Sequence, residues 1–232
     1  MTTAEQTEYK QEPYEPPPGA VELLLVRHGA SEPARPDAPF PLVDGHGDPA
    51  LAPEGLQQAR QVGERLAGIR LDAVYVTNLR RTAQTAEPLL SRNGLKARVE
   101  PGLREVHLGE WEGGLLRKMV AENGPLAQRV WAEERWDVIP GAEPAEAFAA
   151  RVRDAIDRLA AAHPGERIAA FTHGGVIAQA LALASGSRPF AFIGADNASI
   201  SSLVVIDGTW VLRRFNDIAH LETSGAGFSP MG

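Results

Sequence analysis

The chain has 232 residues, no cysteine, 44% hydrophobic residues and a formal net charge of -7. This is enough apolar content for a sizeable core, and the missing thiols exclude disulfides, thiolate metal sites and a cysteine nucleophile. The acidic balance argues against nonspecific nucleic-acid binding, but not against an anionic small substrate, because a few arginines can make one positive pocket in a negative protein.

The opening residues 1–19 are polar, Pro-rich and without periodicity, which predicts a disordered or extended acidic tail. They lack a basic segment followed by an apolar one, so a cytoplasmic location is expected. Val21 to Val26 is an apolar, β-branched run that predicts a strand buried on both faces. The stretch from Gly29 to Pro53 is crowded with Pro, Gly and Asp, the mark of a functional flap or a disordered insert. Its Phe40, Leu42 and Val43 are candidate apolar contacts for a pocket, or equally pack on the body or on a partner chain.

From Glu54, apolar residues Leu56, Ala59, Val62, Leu66 and Ile69 recur at helical spacing, with Pro53 suited to the first turn. A strand over 71–77, a helix ending near Gly94 and a short strand at KARVEP follow. Residues 113 to 163 are helical in tone, ending in a long helix from about Pro144 to Ala162 with Phe148, Val152, Ile156 and Leu159 on one face. RIAAFTHGG at 167–175 predicts a strand leading into the helix VIAQALALASG, whose apolar run is too short for a bilayer span, so no membrane association is expected. ISSLVVID and WVLRRFND predict a hairpin through Gly208, and the last residues look loose.

Strands alternating with helices imply an α/β fold, a three-layer sandwich with a mainly parallel central sheet flanked by helices. The simplest parse is one domain over 20–232 with a helical insertion at about 113–145. Ligands of such sheets sit outside the carboxyl ends of the strands, and both Arg27-His28 and Thr172-His173 lie at such ends. Two histidines remote in sequence are therefore expected to face one crevice.

Four stretches carry the chemistry: LVRHGAS at 25–31, TNLRRTAQTA at 77–86, LREVHLGEWEG at 103–113 and FTHGG at 171–175. As an ordered set they closely resemble the histidine phosphatase superfamily, the phosphoglycerate mutase-like, branch-one type, over residues 20 to 215. The resemblance implies a metal-independent phosphomonoesterase that works through a phosphohistidine and needs no cofactor. On it, His28 is the nucleophile, Glu105 the general acid, and His173 a donor to a nonbridging oxygen. Arg27, Arg81, Ser31 and the backbone N–H of Gly174 bind the phosphate. Small phosphorylated molecules are the expected substrates, and family members are often homodimers. The residue types suit the reaction, since guanidinium forks neutralise a phosphate dianion and a neutral imidazole attacks without first losing a proton.

Competing readings stand beside these. Arg80 is read as a solvated helix residue, and Glu110 or Glu112 compete with Glu105 as the acid. His46, between Asp44 and Asp48, is read as a polar loop residue and no metal site is expected; His107, His163 and His220 are read as structural or exposed, with His107 near the acid. Trp111 and Phe40 are core residues or an apolar wall for the substrate. Family mutases carry an arginine directly after the acid, where this chain has Val106, so a cofactor-dependent phosphoglycerate mutase is the alternative, with Arg117, Lys118 and Arg135 as substitute cations. Many members have Asn six residues after the nucleophile; here that residue is Ala34, with Ser31 or Arg35 available to compensate. A catalytically idle phospholigand-binding module is the third reading.

Overall fold

The computed structural model describes residues 9–35 and 37–221. The loose C-terminal segment expected from the sequence falls outside the described residues from 222 onward, as do the first eight residues of the tail. Residues 9–17 form neither helix nor strand, and the Arg213 guanidinium stacks 3.6 Å from the centre of the Tyr14 ring.

In chain order the elements are β1 (Val21–Arg27), β2 (Leu42–Val43), β3 (His46–Gly47), α1 (Pro53–Ala67), β4 (Ala73–Val76), α2 (Arg80–Asn93), β5 (Ala97–Val99), α3 (Leu115–Glu122), α4 (Pro125–Glu133), α5 (Ala145–Ala162), β6 (Arg167–Thr172), α6 (Gly174–Ser185), β7 (Ile200–Ile206) and β8 (Thr209–Asp217). The main sheet runs β5-β4-β6-β1-β7-β8. Its first four strands are parallel, and β7 and β8 add an antiparallel hairpin. Asp207 and Gly208 both take positive φ in the tip of that hairpin, the two-residue turn whose twist matches its strands.

Side chains alternate across the pleat and build one core on each face. Val26, Val74, Val76 and Phe171 pack under α1 and α2. Leu23, Leu25, Tyr75 and Ile168 meet Phe148, Val152 and Ile156 of α5 and Ile177 and Leu181 of α6 on the other. This gives the three predicted layers. From β1 the chain crosses to β4 and outward to β5, then returns to β6 between β4 and β1. The reversal opens a crevice above the carboxyl ends of β1 and β6.

Three expectations are corrected. Leu56 was counted in the buried stripe of α1 and is 42% exposed, because Gly55 faces the body there instead. The stretch 29–53 is not structureless: β2 and β3 pair, and Ser31 bridges to Leu51. Leu42, in β2, is exposed rather than a pocket contact, and Val43 is only half-buried.

Candidate active site

Parallel pairing of β1 with β6 sets Arg27 opposite Thr172, so the next residues, His28 and His173, come side by side. Their ring centres lie 5.2 Å apart, at 63°. The His28 backbone is fixed on both sides: its N–H donates to Thr172 O at 3.0 Å, and its carbonyl accepts from Asn197 Nδ2 at 2.9 Å and the Ala198 N–H at 3.2 Å. Directly after it the chain passes so close to α1 that a Cβ on Gly29 would lie 2.6 Å from the Gly55 carbonyl oxygen, and one on Gly55 would lie 1.9 Å from that of Ala30. The glycine of the RHG tripeptide is therefore a packing requirement.

The ring hydrogen bond of His28 settles its tautomer. His28 Nδ1 lies 2.8 Å from the Gly29 carbonyl, which can only accept, so Nδ1 carries the proton and the Nε2 lone pair is left free. Burial holds His28 well below the ordinary imidazole pKa, and the Arg81 and Arg27 guanidinium charges push the same way. A neutral imidazole results. His173 is likewise depressed, by burial first and then by Arg81, and its Nε2 meets the Thr77 hydroxyl at 3.1 Å. The Thr77 hydroxyl can donate or accept there, and His173 Nδ1 has no partner among the described residues.

Three guanidinium groups surround the pair. Arg27 is oriented by donating Nη1 to the Ala195 carbonyl, while its buried Nε has no partner among the described residues. Arg81 donates Nη1 to Gly47 O at 2.8 Å and lies 4.0 Å from Asp48 Oδ1, both side chains being buried. Arg117, from α3, donates to Ser31 Oγ at 2.6 Å and to the Glu32 carbonyl at 2.7 Å. Arg80 is not simply solvated: its Nε pairs with Asp48 Oδ2 at 3.1 Å and its N–H donates to Oδ1 at 2.8 Å. Asp48 thus ties the loop to the start of α2 and sets Arg81.

Glu105 is half-buried, on the cavity wall. Its Oε1 accepts the Val106 N–H at 3.0 Å and its Oε2 the Gly175 N–H at 3.3 Å. Burial raises its pKa, outweighing those two donors and the Arg81 and Arg27 charges, which act to lower it. A carboxyl whose pKa is raised is better suited to act as an acid. Its segment is clamped by Arg151 of α5, whose guanidinium donates to the carbonyls of Gly102, Arg104 and Glu105 at 2.7 to 2.9 Å and pairs with Glu143 at 2.6 Å. Thr172 Oγ1 adds a bond to Leu103 O at 2.7 Å.

A model of the histidine phosphatase superfamily (branch 1) matches residues 23–218. The chain belongs to that superfamily. It is 33% identical over 211 residues to phosphoglycerate mutase-like protein 4 of Arabidopsis thaliana, covering 88% of each chain. It is 32% identical over 209 residues to the metal-independent phosphoserine phosphatase of the same plant, covering 88% of this chain and 84% of that one. The crystal structure of phosphoglycerate mutase from Bacillus anthracis superposes with a TM-score of 0.75 over 88% of this chain and 96% of that one; at 24% identity it shows the shared fold alone. The chain is accordingly a phosphatase of the histidine phosphatase superfamily.

Within this histidine phosphatase the cavity above the histidines measures about 170 Å³, and Arg27, His28, Ser31, Arg81 and Glu105 all line it. His173 lies beneath, fully buried, and Gly174 opens α6. Both Phe40 and Trp111 border the cavity, Trp111 also belonging to the core. Of the competing acids, Glu112 lines the cavity but its two oxygens accept from Gly47 and Leu108, and Glu110 is exposed. The reading of His46 as a polar loop residue is corrected: it is 5% exposed, holds Asp44 O through Nδ1 at 3.0 Å and packs edge-on against His107 as part of the cavity wall. His163 is buried between Tyr75 and Glu166. Arg35 lies outside this cavity, so it does not stand in for the amide lost at Ala34, and Arg135 is spent on Asp137 at the surface.

Sequence reasoning missed Asp48, Arg151 and Thr77. Asp48 and Arg151 sit in no recognised motif, and Thr77 opens TNLRRTAQTA without a role of its own there; each acts through a site residue beside it. Gly175 carried one signal, its place in FTHGG, and its missing side chain makes room for Glu105.

Proposed function

We propose that this phosphatase is a metal-independent phosphomonoesterase whose nucleophile is His28 Nε2. The observation that carries the reading is the Nδ1 to Gly29 O hydrogen bond, which leaves a neutral Nε2 lone pair between Arg27 and Arg81. Nε2 forms a bond to phosphorus while the ester P–O bond breaks, and the Glu105 carboxyl gives its proton to the departing alkoxide. Water then attacks phosphorus, Glu105 takes its proton, the P–N bond breaks and inorganic phosphate leaves. Arg27, Arg81 and His173 bear on the nonbridging oxygens, and Ser31 and the Gly174 N–H are further donors.

Positive charge here comes from guanidinium groups, and among the described residues no group of three or more His, Asp or Glu side chains is placed to hold a metal ion. The relative named metal-independent phosphoserine phosphatase supports the same reading. Small phosphomonoesters are the substrates it favours. The test is phosphate release from p-nitrophenyl phosphate and phosphoserine with EDTA present, compared with His28→Ala. Release that persists in EDTA and vanishes in the variant is expected; release that EDTA abolishes contradicts it.

One observation favours a second reading. Arg117 reaches the cavity wall from α3, where it can meet a substrate carboxylate in place of the arginine missing at Val106. Interconversion of 3- and 2-phosphoglycerate in the presence of 2,3-bisphosphoglycerate, without net phosphate release, would establish the mutase.

A further inference from the structure

A second cavity of about 610 Å³ adjoins the catalytic one, which is only about 170 Å³. The two share Glu112, Gly114 and Arg117 as common wall. Pockets that take drug-sized ligands run about 300–1,000 Å³, so the catalytic cavity suits a phosphoryl group and a few carbons, while its neighbour suits a ring system. Its far side is mostly apolar, from Pro33, Ala34, Pro39 and Leu115. Gly114 is a tight contact in the shared wall: a Cβ on it would meet Ala34 Cβ at 2.9 Å and the Phe40 ring at the same distance.

The charges on this cavity are biased. Arg35, Arg117 and Lys118 face one carboxylate, Glu112, which is already occupied by the Gly47 N–H at 2.7 Å and the Leu108 N–H at 2.9 Å. In a chain of net charge -7 this is a local positive site. Arg117 stands at the junction, held by Ser31 and Glu32 with its guanidinium 5.4 Å from the centre of the Phe40 ring. A group leaving the catalytic cavity past Ser31 therefore meets Arg117 first and the apolar wall next.

Resting on the phosphomonoesterase reading above, we infer that the adjoining cavity is the subsite for the leaving alcohol, and that the substrate is the phosphate ester of a bulky, ring-bearing alcohol with a second anionic group at its far end. The ring covers Pro39 and Leu115, and the distal anion meets Arg35 and Lys118. Phosphoserine, which reaches neither, is a minimal substrate only.

The test compares kcat/KM for phosphoserine, phenyl phosphate, biphenyl-4-yl phosphate and its 4′-carboxylate, on wild type, Leu115→Asp, Arg35→Glu and His28→Ala. Wild type is expected to prefer the carboxybiphenyl ester over phenyl phosphate by about tenfold or more, the scale on which a hydrophobic pocket discriminates. Leu115→Asp should remove the preference for both biphenyl esters, and Arg35→Glu only the part due to the carboxylate, with phenyl phosphate unchanged in each. Leu115 is 42% exposed, so its variant is not expected to disturb folding. Equal rates for phenyl and biphenyl esters, or variants that lower every ester alike, would overturn the subsite while leaving the phosphatase intact. Phenyl phosphate turnover that survives in His28→Ala would instead overturn the parent reading.

Discussion

The Gly175 N–H meets Glu105 Oε2 at 3.3 Å, and a Cβ on Gly175 would sit 2.5 Å from Oε1 of the same carboxyl. The start of α6 and the acid segment, 70 residues apart, are thus built around one side chain. Gly175→Ala must push Glu105 aside. Misplacement of a reacting group by an ångström can cost about 10²-fold, and that is the expected loss of kcat with an alkyl phosphate. The overpacking should cost about 1–3 kcal/mol of stability, read by urea unfolding. Unchanged kcat with a measurable stability loss would show that the carboxyl position is not critical.

Leaving-group chemistry separates an acid from a structural carboxylate. In Glu105→Gln the proton needed by an alkoxide is gone, whereas p-nitrophenolate leaves without one. Hydrolysis of an alkyl phosphate should fall about 10²–10⁴-fold, the usual contribution of a general acid, while the first step with p-nitrophenyl phosphate should fall far less. Stopped-flow release of p-nitrophenolate beside steady-state phosphate release makes the comparison, and equal losses on both would remove Glu105 from the acid's role.

Arg151 touches the carbonyls behind Glu105 and the Glu143 carboxylate and does not line the cavity, so it is a positioning residue. Arg151→Lys keeps the charge beside Glu143 but cannot span three carbonyls. We expect kcat for alkyl phosphates to drop about tenfold or more, by loss of alignment, with the inhibition constant of inorganic phosphate unchanged. Weaker phosphate inhibition would place Arg151 in binding instead.

The depressed histidines make stability fall on acidification. Unfolded His28 and His173 take up protons near pH 6.5, whereas in the fold both stay neutral well below it. The unfolded state therefore binds more protons below pH 6.5, and unfolding becomes easier as pH drops through that range. Thermal melts from pH 7.5 to 5 should show Tm falling, and His28→Asn should reduce the slope. A flat profile, or an identical slope in the variant, would contradict the burial of a neutral imidazole.

The sequence was most legible where local pattern and global fold agree. The run Val21–Arg27, the α5 stripe of Phe148, Val152 and Ile156 and the Asp207-Gly208 turn each follow from spacing or turn chemistry alone. Leu56 misled because a helix's first turn can face solvent while its glycine meets the body. The histidines and arginines stood out because charged and titratable residues at the ends of buried strands need a reason. What the sequence hid is what depends on long-range contact: Asp48 reaching across to Arg80 and Arg81, Arg151 holding the acid segment, and His46 folded into the wall by a two-residue strand pair. Residues 33–35 with Pro39, and 112–115 with Arg117 and Lys118, are unremarkable separately, and their packing creates the larger cavity.

The nucleophile is the central claim, and trapping it is the most direct test. Glu105→Gln mixed with p-nitrophenyl phosphate, quenched in alkali and digested, should yield a peptide carrying a phosphoryl group on His28 that is stable in base and lost in acid, because the variant lacks the base that hydrolyses it. His28→Ala combined with Glu105→Gln should carry none. A p-nitrophenolate burst with no phosphorylated peptide, or a phosphoryl group on any residue other than His28, would contradict the account.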